Sequence, residues 1–191
     1  MIKNISNWFN KVSKTWVMIL TLAIMVLFMI TVLPEQAASA EQNAGGSISP
    51  DTSFFYAPGD LLQAAEEYGA GGRLAYIQAR WTFDLVFPLV YIFFLVAGIS
   101  WFHQKLENPT DWIGYTNLLP VAAGLFDYLE NTSASLVMGL YPTQVTGLAL
   151  LTSIFSGVKW LLIAGSFLAY FGLAGAVLFQ WVQSKARKIS S

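Results

Sequence analysis

The sequence predicts an all-α, polytopic membrane protein: a four-helix bundle with an extracytoplasmic loop and an amphipathic helix between spans one and two. Three observations favour this fold class. Of the 191 residues, 55 % are hydrophobic and only 11 % are charged, whereas soluble domains average about 25 % charged residues. Several apolar runs approach or exceed the roughly 20 residues with which a helix crosses a bilayer. Prolines, glycines and short polar turns separate these runs, as is typical of helix ends.

The composition also excludes several kinds of function. The chain has no cysteine, which excludes disulfides, thiolate catalysis and cysteine-ligated zinc or iron–sulfur sites. Its single histidine, His103, excludes a multi-histidine metal site, and we expect neither a metal nor a cofactor. A net charge of −1 provides no basic field for nucleic acid.

The N-terminal region is predicted to be a tail followed by a span. Residues 1–15 carry three lysines and no acid, and their aromatic residues make the tail weakly amphipathic, so we expect it on the cytoplasmic membrane surface. The run 16–33 is long enough for the first span, and Pro34 is expected to end it. The alternative is a signal peptide, because Ala38-Ser39-Ala40 has the form of a cleavage site. We favour the retained span because its apolar core exceeds the about 7–15 residues of signal peptides.

The next segment, 34–80, is predicted to be an extracytoplasmic loop with short helices. Glycine, serine and proline dominate its first half, which is typical of a loop. In its second half, the glycines of 69–72 are expected to form a hinge. An amphipathic helix within 60–80 then leads into the second span, 81–102.

The remaining apolar sequence accommodates two more spans. After a short polar connection, the run 112–140 is long enough for the third. The apolar region after it is too long for one span, so we divide it near Gly157. A re-entrant or interfacial helix, 144–156, then precedes the fourth span, 158–180, and a basic cytoplasmic tail, 181–191, follows.

The distribution of charge predicts the orientation. Cytoplasmic flanks of membrane spans are enriched in lysine and arginine. Three lysines precede the first span and three basic residues follow the fourth, whereas the segment 34–80 carries six acids and two arginines. We therefore expect a multi-pass protein of the plasma (inner) membrane with both termini in the cytoplasm.

Polar residues in the third span define the candidate site. Asp127, Glu130 and Asn131 share one helix face through i,i+3 and i,i+4 spacing. An ionisable group at the bilayer centre costs at least about 2.5–3.5 kcal/mol, so such residues are retained against other protein or a water-filled cavity. In the second span, Pro88 cannot bond to the carbonyl of Asp84, which leaves that carbonyl free beside the acidic side chain.

Charged residues of the other spans are predicted to reach a similar depth. The second span starts at the outer side with Arg80 and Asp84, and the fourth starts there with Lys159. We therefore predict one polar pocket that opens outward beneath the hinge and the 60–80 helix. The predicted ligand-binding residues are Arg73, Tyr76, Arg80, Asp84, Asp127, Glu130, Asn131 and Lys159.

These residues also have purely structural interpretations, which stay open. Arg80 and Asp84 suit an ordinary i,i+4 ion pair at the membrane edge. Lys159 suits a lysine that extends its ammonium group to the membrane surface. The polar group of the third span suits interhelical hydrogen bonds that only hold the bundle together.

Several motifs together resemble a known family. They are Gly72-Arg73, Tyr76-Ile77, Thr82-Phe83-Asp84, Pro88, Tyr91, Leu125-Phe126-Asp127-Tyr128-Leu129-Glu130-Asn131, Tyr141-Pro142 and Lys159-Trp160. Over roughly residues 50–175, this set resembles small uncharacterised bacterial integral membrane proteins with four spans. The resemblance implies the architecture and the choice of polar residues, and it implies no activity. The sterol-isomerase-like four-span fold matches less well, because it uses an intramembrane histidine and no histidine lies within a predicted span here.

Three functions remain open from the sequence. The first is a pocket for a small cation, an amine or a lipid headgroup, since two carboxylates one turn apart hold a cation or share a proton. The second is an accessory or assembly subunit whose polar groups only specify packing, with membrane lipids, another membrane protein or a second copy of the chain as partner. The third is a lipid-modifying enzyme with Asp127 or Glu130 as general acid or base and Arg80 or Lys159 on a phosphate. No nucleophile motif, phosphate-binding loop or metal-ligand set supports the enzyme.

Overall fold

The computed structural model describes residues 1–43, 55–107 and 109–189, and within these ranges the chain forms helices and no strands. The all-α prediction is confirmed. The helices are α1 (Ile2–Val12), α2 (Thr15–Thr31), α3 (Leu33–Asn43), α4 (Pro58–Glu67), α5 (Gly69–Arg80), α6 (Phe83–Lys105), α7 (Asp111–Gly114), α8 (Leu119–Leu140) and α9 (Thr146–Ile189), with a 3-10 helix (Tyr115–Leu118) before α8.

Three helical stretches in the described ranges are long and apolar enough to cross a membrane: Thr15–Gln42, Gly69–Lys105 and Thr146–Arg187. They indicate a membrane protein. The helix α8 is not among them, since its acids and amide lower its hydropathy. It is nevertheless the most enclosed of the long helices, with buried residues along its whole length, whereas α2 has none. Because protein surrounds α8, its side chains do not need to be uniformly apolar.

The first span is predicted to end at residue 33, and α2 ends nearby at Thr31, but the expectation that Pro34 stops the helical conformation is wrong. After α2 ends at Thr31, the helical conformation resumes in α3, and Pro34 lies in the first turn of α3. A proline there removes no intrahelical hydrogen bond, because the first amides of a helix have no partner within it. The predicted loop is therefore helical as far as Asn43. Its glycine- and serine-rich part lies outside the described residues.

The predicted division of the last apolar region near Gly157 is also wrong, because α9 continues through it without a break. Its 44 residues, at about 1.5 Å each, measure about 66 Å. The ring of Phe55 packs against Gly157, where a Cβ atom would lie 3.2 Å from the ring. This glycine therefore permits a close approach rather than ending a helix. The predicted segments 144–156, 158–180 and 181–189 all belong to α9 or to the turn before it.

A tight corner joins α4 to α5. Gly69 has a φ angle of +63°, which glycine adopts without strain. The corner folds α4 back so that α4 and α5 both pack on α8, and α4 also reaches the start of α9. The structure thus places α4 and α5 over one end of the α8–α9 pair, whereas the sequence predicts a hinge and an amphipathic helix within 60–80 that lie over the polar pocket.

Two apolar cores are separated by a layer of polar residues. The first, called here the α4 core, consists of Tyr56, Leu61, Ala64, Ala65, Tyr68, Tyr76, Ala134, Val137, Met138 and Ala149. The second, the α6 core, consists of Tyr91, Phe94, Leu95, Ile99, Ala123, Tyr170 and Leu173. Along α8 the order is Ala123 of the α6 core, then the acidic residues, then Ala134 of the α4 core. The charged groups therefore meet between two apolar layers.

The N-terminal helix α1 docks on the opposite end of the bundle from α4. Ser6 is buried, and its hydroxyl donates to the carbonyl of Gly114 at 3.0 Å. In return, the side-chain amide of Asn117 donates to the carbonyl of Ser6 at 3.2 Å and to the hydroxyl of Ser100 at 3.0 Å. The predicted surface tail is thus a helix held against the protein by buried hydrogen bonds.

Candidate functional site

Six of the predicted residues come together in the layer between the two cores, and we call them the polar cluster. α5 supplies one, α6 one, α8 three and α9 one, and none has a side chain more than 16 % exposed. The members are Arg80, Asp84, Asp127, Glu130, Asn131 and Lys159. Four helices thus contribute charged or amide groups to one buried position.

Lys159 lies between the two acids of α8. Its Nζ atom is 2.5 Å from Oε2 of Glu130 and 3.8 Å from Oδ1 of Asp127. The i,i+3 spacing places both carboxylates on the α8 face that α9 covers. The alternative in which Lys159 extends to the membrane surface is therefore wrong, since its side chain is only 13 % exposed and its ammonium group is held by carboxylates.

Arg80 forms the second ion pair of the cluster. Its Nη1 atom donates to Oδ2 of Asp84 at 2.5 Å, and it also donates to Oδ1 of Asn131 at 3.4 Å. The guanidinium carbon lies 4.4 Å from the centre of the Tyr76 ring, in reach of a cation–π contact. The i,i+4 pair is thus present, and it also connects α5 and α6 to α8.

The carbonyl of Asp84, which Pro88 is expected to leave free, is used by α8. The side-chain amide of Asn131 donates to the carbonyl of Asp84 at 3.5 Å, and it donates to Oδ1 of Asp127 at 3.2 Å. The hydroxyl of Tyr128 donates to the neighbouring carbonyl of Leu85 at 2.9 Å. Because a proline cannot bond to the carbonyl four residues before it, the amide of Asn131 supplies the partner that the carbonyl of Asp84 lacks. The start of α6 and the polar face of α8 are therefore joined by these hydrogen bonds.

Two tyrosines that sequence reasoning missed complete the cluster. Tyr56 donates to Oε1 of Glu130 and Tyr91 donates to Oδ2 of Asp127, each at 3.1 Å. Burial and the nearby carboxylate of Glu130 raise the pKa of Tyr56 well above its ordinary value, so its hydroxyl stays protonated and can donate. Tyr91 lies two turns after Asp84, a spacing that could have indicated it. The sequence carries no comparable signal for Tyr56.

The structure does not bring Arg73 to the carboxylates. Its Nη1 atom donates to the carbonyl of Ala65 at 2.8 Å, and its guanidinium carbon lies 4.3 Å from the ring centre of Tyr141. These contacts connect the α4–α5 corner to the turn between α8 and α9. Helical spacing placed Arg73 on the same face as Arg80, but it lies two turns away, beside the α4 core.

The charges of the cluster do not balance. Its ion pairs join two cations to three carboxylates among the described residues. The short pairs are Arg80 with Asp84 and Lys159 with Glu130, so Asp127 carries the unbalanced charge. Tyr91 and Asn131 donate hydrogen bonds to it, and these lower the cost of a buried anion without neutralising it. A third positive charge, brought by a small monovalent cation or a proton, would balance the cluster.

The cluster is closed in this structure, whereas the sequence predicts a pocket that opens outward. Asp127, Glu130 and Asn131 are 8 %, 7 % and 5 % exposed. Tyr56, itself 8 % exposed, lies over Glu130 from the side of the α4 core. In the described ranges, no group of three or more His, Asp and Glu side chains is arranged to hold a metal ion.

Comparisons with protein-family models, with curated proteins and with solved structures find no match. The resemblance to bacterial four-span membrane proteins stays a prediction. The functional proposal accordingly depends on the contacts of the polar cluster.

Proposed function

We propose that the protein is a four-span plasma-membrane protein whose polar cluster binds one small monovalent cation, such as an alkali-metal ion or a protonated amine. The charge imbalance carries this proposal: two buried carboxylates, Asp127 and Glu130, and the half-buried carboxylate of Asp84 face two cations. An unpaired buried charge is unfavourable, and a bound cation near Asp127 would compensate it. The closed cluster favours a small ion over the lipid headgroup that the sequence leaves open.

The four proposed spans are α2, α6, α8 and α9. The 22 residues of α8, at about 1.5 Å each, measure about 33 Å, close to the roughly 30 Å of the hydrocarbon layer. A short turn makes α8 and α9 antiparallel neighbours, and they share the largest interface of the bundle. With both termini in the cytoplasm, the polar cluster lies towards the outer side of the membrane and α4 and α5 cover it there.

A second candidate function has its own support in the structure. The members of the cluster already bond to one another and connect α5, α6, α8 and α9. Such a network also suits an accessory or assembly subunit in which buried polar groups specify helix packing. The two candidates differ in what they require of Asp127, since packing needs its hydrogen bonds and cation binding needs its charge.

The test measures thermal unfolding of the purified protein in chloride salts of equal concentration. Sodium, potassium, ammonium and methylammonium are compared with N-methylglucamine, which is too large for the cluster. We expect at least one small cation to raise the melting temperature of the wild type. Asp127→Asn should stay folded and lose this response, whereas Glu66→Gln, an exposed change on α4, should keep it.

Two outcomes would overturn cation binding. One is a wild-type melting temperature that is the same in all five salts, including at high pH, where a competing proton is removed. The other is a response that Asp127→Asn retains in full. A strongly lowered melting temperature of Asp127→Asn in every salt, without a wild-type response, would favour the packing role.

A further inference from the structure

The helix α1 presents three different faces. One face carries the small residue Ser6, which is buried against the bundle. Its apolar face follows helical spacing and is largely uncovered: the exposed fractions are 63 % for Ile2, 41 % for Ile5, 58 % for Trp8 and 37 % for Val12. Its third face is polar and exposed, and it consists of Lys3, Asn4, Asn7 and Lys11. An amphipathic helix with an uncovered apolar face is typical of a membrane interface.

Hydrogen bonds fix α1 at the level where the membrane helices end. The side-chain amide of Gln104, near the end of α6, donates to the carbonyl of Ser13 at 3.1 Å. The indole of Trp101 donates to the hydroxyl of Thr15, the first residue of α2, at 3.0 Å. The apolar face of α1 is therefore uncovered at the point where α2 starts and α6 finishes, which is where a membrane surface would lie.

Positive charge is concentrated at this end, which we call the α1 end and define as residues 1–14, 101–107, 109–118 and 180–189. The backbone amide of Glu107 donates to Oε1 of Gln180 at 3.1 Å, which places Gln180, about two and a half turns before the end of α9, at this level. Seven of the ten basic residues and two of the eleven acids belong to the α1 end. The basic residues are Lys3, Lys11, Lys14, Lys105, Lys185, Arg187 and Lys188, and the acids are Glu107 and Asp111.

Tryptophans accompany the lysines there. Lys105 lies 5.5 Å from the ring centre of Trp101, and Lys185 lies 5.7 Å from that of Trp181. Trp8 and Trp112 also belong to this end, and both side chains are more than half exposed. Tryptophan prefers the headgroup layer of a membrane, since its ring is apolar and its N–H group donates hydrogen bonds.

We propose that the α1 end is a docking surface for anionic phospholipid headgroups. The apolar face of α1 enters the acyl boundary, while Lys3, Lys11 and Lys14 contact lipid phosphates. Basic segments next to a span are attracted to anionic lipids, and an apolar helix face adds to this attraction. The excess positive charge is the observation that selects anionic over zwitterionic lipid. This inference does not depend on the polar cluster or its ligand.

The first experiment locates α1 relative to the lipid. Because the chain has no cysteine, single nitroxide labels can be attached at Ile5→Cys and Asn7→Cys, which lie on opposite faces of α1. The full-length protein is reconstituted in nanodiscs that contain phosphatidylglycerol. We expect oxygen to relax the label at 5 more strongly and a water-soluble nickel complex to relax the label at 7 more strongly. Equal exposure of both labels to the nickel complex would overturn the proposal.

The second experiment tests the headgroup. The protein is offered equal amounts of phosphatidylglycerol and phosphatidylcholine, and native mass spectrometry counts the lipids that stay bound. We expect several-fold preference for phosphatidylglycerol, lost in the triple variant Lys3→Gln, Lys11→Gln, Lys14→Gln. The matched control is Glu35→Gln, Glu41→Gln, Glu66→Gln, which removes three charges outside the α1 end. Equal lipid retention by the wild type, or a preference that survives in the lysine variant, would refute the assignment.

Discussion

At the scale of single residues, Lys159 is the side chain on which the cluster depends most directly. It is the cation nearest to both Asp127 and Glu130, and its ammonium group is held at 2.5 Å from Glu130. Removing one partner of a buried ion pair typically costs about 3–5 kcal/mol, because the other charge stays buried without compensation.

We therefore expect Lys159→Met, which keeps the length of the side chain and removes its charge, to lower the free energy of unfolding by about 3–5 kcal/mol. Adding Glu130→Gln should restore part of this loss, because the double variant no longer buries the unpaired carboxylate. Chemical denaturation in a mild detergent, arranged as a double-mutant cycle, measures the coupling between the two positions. Additive effects of the two changes would show that Lys159 and Glu130 do not interact as the structure indicates.

All six members of the polar cluster were predicted from the sequence, but its two tyrosine partners were not. A carboxylate within an apolar run is conspicuous, so Asp84, Asp127 and Glu130 were identified from the sequence. Tyr56 and Tyr91 were not, because tyrosine is also common in apolar cores and at membrane interfaces. Which of several cations pairs with which carboxylate depends on interhelical distances, and these are not encoded in the spacing along any one helix.

At the scale of helices, proline correctly predicted a local effect on hydrogen bonding, but proline and glycine did not correctly predict where helices end. Pro88 does leave a carbonyl that another helix uses, since this consequence follows from the proline ring alone. Pro34 and Gly157 were expected to end helices and do not. Whether such a residue interrupts a helix depends on its position within the first turn or on the side chain that packs against it. Both circumstances are set by the surrounding fold.

The contact between α6 and α9 gives a prediction at this scale. A Cβ atom at Gly98 would lie 2.1 Å from the ring of Tyr170, which is fixed between Phe94 and Phe102 at centroid distances of 5.1 and 5.3 Å. We expect Gly98→Ala to destabilise the protein by at least about 1–3 kcal/mol, the usual cost of overpacking a core.

The matched control for this change is Gly172→Ala in α9. No heavy atom lies within 4 Å of a Cβ placed there, and alanine favours a helix over glycine by about 1 kcal/mol. Thermal unfolding of both variants should therefore show a lower melting temperature for Gly98→Ala and an unchanged or higher one for Gly172→Ala. If both changes shift the melting temperature in the same direction, α6 and α9 do not approach each other at Gly98.

At the scale of the whole molecule, the arrangement of charge explains how α8 can carry acids within an otherwise apolar bundle. Hydropathy alone identifies three candidate spans, and α8 is not one of them. α8 becomes compatible with a membrane once α5, α6 and α9 surround it, because Arg80 donates to its Asn131 and because Tyr91 and Lys159 contact its acids. The charged residues of separate spans were expected at similar depths in the membrane, and this was enough to predict that they meet. It was not enough to predict that they meet in a closed layer between two apolar cores.

The same arrangement predicts the orientation of the molecule, which single cysteines can test because the chain has none of its own. Glu66 on α4 and Ser184 on α9 are both exposed and lie at opposite ends of the bundle. We expect a membrane-impermeant maleimide to label Glu66→Cys in intact cells and Ser184→Cys only after the membrane is opened, since basic flanks remain in the cytoplasm. A third variant, Asn7→Cys, should behave like Ser184→Cys if the first span is retained and should be missing from the mature protein if it is cleaved. Labelling of Ser184→Cys from outside would place the α1 end on the wrong side for the anionic cytoplasmic leaflet and would also reverse the proposed depth of the polar cluster.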